Sequence, residues 1–216
     1  MAIQRIKLLG VPVDICRPEN LESEIMELMA RPGTKQIVFL TIWKLLKARS
    51  KKSTFAQCIR DADLIIPVSK SILMAARFLK CPVPHRYNPF NAVIQILSIL
   101  ERHVRSLYLL GGRKRTVIQT ERNINSTFRA LQVVGRYVGY YPKSVEENIV
   151  QAIYKASPTM VLLSEGVRDK DCWANKSKNR FSSGFSRSEN AVSARKPLTE
   201  DSRFGARFFI IRSNYS

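Results

Sequence analysis

The stretch Leu109-Leu110-Gly111-Gly112-Arg113-Lys114 joins an apolar run to two glycines and two cations. Glycines after a strand let backbone N–H groups come close to a phosphate, and a following helix N-terminus adds its dipole. The same pattern also serves as a plain strand-to-helix turn. It is neither a full GxGxxG nor a Walker A loop. Glu165, in Ser164-Glu165-Gly166, follows an apolar run as a catalytic acid does, but no partner carboxylate accompanies it. Asp63 begins a strand and suits local capping or pairing. His85, between Pro84 and Arg86, reads as an exposed loop histidine. Cys16, Cys58, Cys81 and Cys172 lie far apart without a CxxC pair, and His85 and His103 do not complete a zinc set. Buried or half-buried free thiols in a reducing compartment are expected. No GxSxG elbow or Cys/His nucleophile arrangement is present.

These residues need a frame. Ile6 to Ile15 reads as two short strands around a Gly10/Pro12 turn. Short apolar runs at 36–40, 63–67, 106–110, 131–135 and 159–163 read as buried strands. Helical spacing fills 18–29, 43–60, 69–80, 90–103, 116–130 and 143–156. Strands alternating with helices are the βαβ pattern, and continuous apolar strands predict a parallel sheet covered on both faces. The expected fold is α/β and Rossmann-like, with a mostly parallel sheet flanked by helices and a small N-terminal β-hairpin. In such sheets ligands bind beyond the carboxyl ends of the strands. Thr41, Val68-Ser69, Gly111-Gly112, Tyr140 and Ser164-Glu165-Gly166 therefore form the edge to inspect.

The chain has 216 residues, 45% hydrophobic and 25% charged, which fits a globular domain and excludes collagen, coiled-coil and wholly disordered classes. The net charge of +19 points to an anionic partner: a nucleotide, a pyrophosphate, a phospholipid surface or a nucleic acid. The cations are spread along the chain, without the clustered, aromatic-interleaved pattern of a nucleic-acid reader, so that partner ranks last. The N-terminus has no signal-peptide h-region and no apolar run reaches a membrane span. A cytoplasmic location is expected, with a peripheral position at the inner face of the cytoplasmic membrane compatible. After Trp173 the composition turns to Ser, Asn, Lys and Arg. One domain over 1–173 and a basic, polar, poorly ordered segment over 174–216 are expected.

The order of the segments resembles the WecG/TagA/CpsF family of glycosyltransferases over about residues 5–173. Ile6-Lys7-Leu8-Leu9-Gly10-Val11-Pro12-Val13-Asp14 resembles the family's opening strands. Phe39-Leu40-Thr41-Ile42-Trp43 stands where the family has threonine-x-asparagine, and Ala62-Asp63-Leu64-Ile65-Ile66-Pro67-Val68-Ser69 where it has an alanine-aspartate strand, proline and aspartate-glycine. Val83-Pro84-His85-Arg86-Tyr87-Asn88-Pro89-Phe90-Asn91 is the counterpart of its proline-led arginine segment. Leu109-Leu110-Gly111-Gly112, Val138-Gly139-Tyr140-Tyr141 and Ser164-Glu165-Gly166 through Trp173 complete the series. The departures are Val68 for the aspartate proposed as general base, Trp43 for the asparagine, Pro89 and Asn91 for a glycine and an aspartate, and Lys170 for a glutamine.

The resemblance implies transfer of an N-acetylhexosamine or other hexosyl group from a UDP-sugar to a polyprenyl-pyrophosphate-linked acceptor in cell-surface polysaccharide synthesis. It implies no metal and no cofactor beyond the donor substrate, and leaves a homo-oligomer open. Thr41 and Arg86 carry over as catalytic positions; Gly111, Gly112, Asn91, Tyr140 and Gly166 are candidates for binding substrate. Inverting transfer needs a base for the acceptor hydroxyl and cations for the departing diphosphate. Valine cannot be that base, so an active enzyme needs another, such as Glu165 or a partner's carboxylate. The alternative is a catalytically inactive descendant that binds a nucleotide sugar or a protein partner. A nucleic-acid-binding protein is the third reading.

Overall fold

The computed structural model of the protein describes residues 3–50, 53–182 and 208–212. Strands β1 (Gln4–Leu8) and β2 (Val11–Ile15) form an antiparallel hairpin. Leu9 and Gly10 turn it with φ of 51° and 80°, the two left-handed residues that a type I′ turn requires. A 3₁₀ turn at Pro18–Asn20 leads into α1 (Leu21–Ala30).

Next come β3 (Thr34–Leu40), α2 (Ile42–Ala48), α3 (Thr54–Arg60), β4 (Leu64–Pro67), α4 (Lys70–Phe78) and α5 (Pro89–Arg102). The second half holds β5 (Ser106–Leu110), α6 (Lys114–Thr127), β6 (Gln132–Tyr137), α7 (Glu146–Ala156), β7 (Met160–Leu163), α8 (Lys170–Ser182) and β8 (Phe208–Arg212). The helical spacing over 43–60 resolves into two helices, not one. Ser50 and Ser53 bracket the break, where serine favours capping conformations over a helix interior.

The main sheet has the order β4-β3-β8-β7-β5-β6. The β3–β4, β5–β6 and β5–β7 pairs are parallel, as expected; β8 runs antiparallel to both its neighbours. Alternate residues divide the core in two. Val38, Leu40, Ile65, Leu110, Val161 and Leu163 pack with α2, α3, α4, α7 and α8. Ile37, Phe39, Leu64, Ile66, Leu109 and Leu162 pack with α1, α5 and α6. A strand buried on both faces has no polar alternation to show, hence the continuous apolar runs.

The boundary drawn at residue 173 falls inside α8, where Trp173 and Ala174 are buried core residues. β8 then returns the chain to the middle of the sheet. The expectation of poor order falls largely on residues 183–207 and 213–216, outside the described residues. The cysteines are free, Cys16 and Cys58 buried, Cys81 and Cys172 half-buried. A hydrogen bond between Cys58 and Cys172 holds the first thiol below its ordinary range and pushes the second up.

The hairpin is fastened to β4 by one carboxylate. Asp14 is 1% exposed and accepts Arg5 Nε at 2.6 Å, Arg5 Nη2 at 2.8 Å and the Ile65 N–H at 2.7 Å. Arg5 Nη2 also donates to the Asp63 carbonyl at 2.8 Å. Asp63 itself pairs locally, its carboxylate accepting the Gln36 N–H and Lys178 Nζ. In Asp14→Ala the buried Ile65 N–H loses its partner and the half-exposed Arg5 loses a bidentate bond. Stability should fall by about 3 kcal/mol, read as a lower urea midpoint at constant slope. An unchanged midpoint would show that the hairpin is not held this way.

Candidate functional site

At the carboxyl edge of the sheet the candidate residues fall into two groups. The first lies at the ends of β3 and β4. Thr41 is the N-cap of α2, its Oγ1 accepting the Lys44 N–H at 3.4 Å. Val68 follows β4, is 7% exposed, and donates its N–H to the Leu40 carbonyl at 3.0 Å. Its own carbonyl accepts Arg86 Nε at 3.4 Å. The Tyr87 N–H bonds the Pro67 carbonyl and so draws the Arg86 loop onto the end of β4. Thr41, Val68 and Arg86 are thereby neighbours at the ends of β3 and β4.

Beside them opens a cleft of about 780 Å³, lined from α4 by Lys70 and Arg77, from the loop by His85 and Arg86, and from the β2 side by Arg17 and Glu19. Among the described residues none of Arg17, Lys70, Arg77 and Arg86 forms an ion pair with a carboxylate. Four cations facing one acid make a site for a polyanion. His85 is exposed, its ring edge-on to Tyr87.

The second group lies at the ends of β5, β6 and β7. Gly111, Gly112, Tyr140 and Gly166 meet there, joined by Gly139 and Ser164. A Cβ on Gly111 would come within 2.2 Å of Ser164 Oγ, and one on Gly139 within 2.2 Å of the Glu165 carbonyl oxygen. Gly166, at φ 88°, passes under the Tyr140 ring. The backbone closes the knot: the Gly111 N–H bonds the Tyr137 carbonyl, the Gly112 N–H bonds the Glu165 carbonyl at 2.6 Å, and the Gly139 N–H bonds the Gly112 carbonyl. Both diglycine N–H groups are therefore engaged between strands. Donors for an anion come instead from the start of α6, which has no side-chain cap and carries the exposed cations Arg113, Lys114 and Arg115. Cations have the wrong sign for a helix N-terminus, an arrangement that a bound anion offsets.

Glu165 is exposed and does have a partner: Tyr140 donates its hydroxyl to Oε1 at 2.8 Å. That hydrogen bond raises the Tyr140 pKa. Asn91 is an exposed first-turn residue of α5 beside the Asn88 cap and joins neither group. Lys170 adjoins Asp171, which is 5% exposed and pairs with Lys44 at 3.4 Å. Burial pushes the Asp171 carboxyl up against the opposing pull of Lys44. This pair ties α8 to α2, directly behind Thr41.

Neighbouring strands lie about 4.8 Å apart. The ends of β4 and β5, four steps apart in the sheet order, are thus separated by roughly 19 Å. Successive connections run outward from this gap, β3 to β4 on one side and β5 to β6 on the other. The gap is the topological switch point, where open α/β sheets bind ligands, with β8 filling its floor.

The chain matches the Glycosyl transferase WecG/TagA/CpsF family over residues 6–187, most of its length, and it belongs to that family. Membership supports a glycosyltransferase role in cell-surface polysaccharide synthesis. In general terms it implies a nucleotide-sugar donor and a lipid-linked acceptor. No curated protein matches the chain. Among the described residues no helix is long and apolar enough to cross a membrane.

Gly139 is not among the binding candidates that the sequence points to, yet with Gly111 it is one of two glycines of the knot at which a Cβ would come within 2.2 Å of another atom. Its place between an apolar strand and Tyr140 was the available signal. Gly139→Ala drives a Cβ into backbone and should lower stability by about 3 kcal/mol, the scale of a severe overpacking substitution. Gly10→Ala meets nothing within 4 Å and should cost only about 1 kcal/mol, from its left-handed φ. Thermal unfolding of the two variants side by side checks this; equal losses would remove the knot.

Proposed function

We propose that this chain transfers a hexosyl group, an N-acetylhexosamine by resemblance, from a UDP-sugar to a polyprenyl-pyrophosphate-linked acceptor. It works as a peripheral protein at the inner face of the cytoplasmic membrane. The observation that carries this reading is the cleft whose four cations have no carboxylate partner among the described residues. A diphosphate supplies the missing charge. Arg86 offers it a planar guanidinium, fixed at Nε by the Val68 carbonyl. Thr41, whose hydroxyl caps α2, stands at the end of β3 next to the end of β4.

In the reaction the acceptor oxygen attacks the anomeric carbon while the bond from that carbon to the UDP oxygen breaks. Configuration inverts. Negative charge develops on the departing diphosphate, where guanidinium groups stabilise it more than they stabilise the intact donor. The acceptor's proton goes to Glu165, an exposed carboxylate at the same edge that the Tyr140 hydroxyl holds in place. The reading assigns no step to a metal.

Val68, buried where the family carries its aspartate, favours a second reading: a descendant that binds the nucleotide sugar without turning it over. A transfer assay with UDP-N-acetylmannosamine, UDP-N-acetylglucosamine and a lipid-linked acceptor separates the two. Glu165→Gln should slow turnover by about 10²- to 10⁴-fold with donor affinity intact. Donor binding with no turnover by the unaltered chain would leave the second reading standing.

A further inference from the structure

Helix α4 is apolar on two faces. Ile72 and Ala76 are fully buried against the sheet. Met74 and Phe78, four residues apart and so on one outward face, are 68% and 86% exposed. Leu79 and Val83, just beyond the helix, are each 40% exposed. Among the described residues nothing covers the face that carries Met74 and Phe78.

The surroundings state the chemistry of the missing cover. Lys70, Arg77 and Lys80 are exposed on or beside the same helix. From Leu64 to Leu100 the sequence contains no Asp or Glu. Protruding apolar side chains among cations that, among the described residues, form no ion pair with a carboxylate match the layered structure of an anionic leaflet. There the apolar groups enter the acyl boundary and the cations remain among the headgroups.

We propose that α4 and the turn after it are the docking surface of this chain for an anionic lipid leaflet. Met74 and Phe78 are the inserted groups; Lys70, Arg77 and Lys80 contact the headgroup phosphates. The inference deepens the peripheral location proposed above and rests on it, but not on the transfer reaction. Its use to the site is direct. Met74, Arg77 and Val83 also line the cleft that contains Arg86. A leaflet seated on α4 therefore presents the pyrophosphate of a lipid-linked acceptor at the mouth of that cleft, and the acceptor's apolar tail never leaves the bilayer.

The test is cosedimentation of the full chain with vesicles of equal parts phosphatidylglycerol and phosphatidylcholine, and with phosphatidylcholine alone. The unaltered chain should bind the mixed vesicles and lose most of that binding as salt rises from about 0.1 M to about 1 M, where the Debye length falls from about 10 to about 3 Å. Met74→Ser with Phe78→Ser should weaken binding about tenfold or more, since each residue buries apolar surface only in the lipid. Both residues are exposed and the inward face of α4 is untouched, so far-UV circular dichroism should not change. Val104→Ser removes a residue that is 63% exposed at the opposite edge of the sheet and should bind as the unaltered chain does. If the chain binds mixed vesicles but the double variant binds equally well, the surface assignment fails and the peripheral location stands. If the chain binds neither vesicle, the location fails and the surface with it. A dimer that the double variant breaks, with no vesicle binding, would assign α4 to a second copy and overturn the proposal.

Discussion

One strand joins the two halves of this molecule. β3 and β4 form a parallel pair, and β7, β5 and β6 form a parallel trio. Neither group hydrogen-bonds to the other. β8 lies between them and pairs with both, Phe208 opposite Val38 on one side and Leu163 on the other. Without it, two buried sheet edges would carry unpaired N–H and C=O groups, which a protein interior does not tolerate. β8 runs antiparallel to both neighbours, so its first residue, Phe208, lies toward the ligand-facing ends of β3 and β7.

The functional edge follows from that closure. β8 brings the ends of β3 and β4, with Thr41, Val68 and Arg86, onto the same rim as the glycine knot of β5, β6 and β7. The two groups do different work. One gathers cations that form no ion pair with a carboxylate among the described residues; the other packs backbone against backbone so closely that side chains are excluded, and leaves Glu165, Tyr140 and the cationic start of α6 at the surface. A nucleotide sugar needs both kinds of contact, charge for the diphosphate and an open wall of main chain beside it. Val68 stands where the resemblance places the base, among several departures, and it moves the question of the base to Glu165.

The core of the fold was legible because double burial writes a strand as an unbroken apolar run, as in Ile37 to Leu40 and Leu107 to Leu110. The helices of the second half were legible from spacing because each buries one face, as Ile149, Val150 and Ile153 do in α7. Phe208 to Ile211 is an apolar run, but its position in the sheet depends on partners far away in the chain, which composition does not encode. The break between α2 and α3 was hidden by uniformly basic, helix-favouring residues around two serines. In the site, Arg86 and Thr41 were found by resemblance, and the glycine pair by local chemistry. Lys70, Arg77 and Arg17 were not, since they lie on separate elements and become a group only when α4 folds back beside the hairpin. Gly139 was missed because its constraint is contact with Glu165 and Gly111, neither of them near it in sequence.

The most direct measurement is a calorimetric titration of the full chain with UDP at low and high salt, repeated for Arg86→Ala. The account predicts saturable binding that the substitution weakens about tenfold or more, the scale of one lost charge-assisted hydrogen bond. Salt should weaken it further without abolishing it. No saturable binding, or an Arg86→Ala titration indistinguishable from that of the unaltered chain, would contradict the assignment of the cleft to a nucleoside diphosphate.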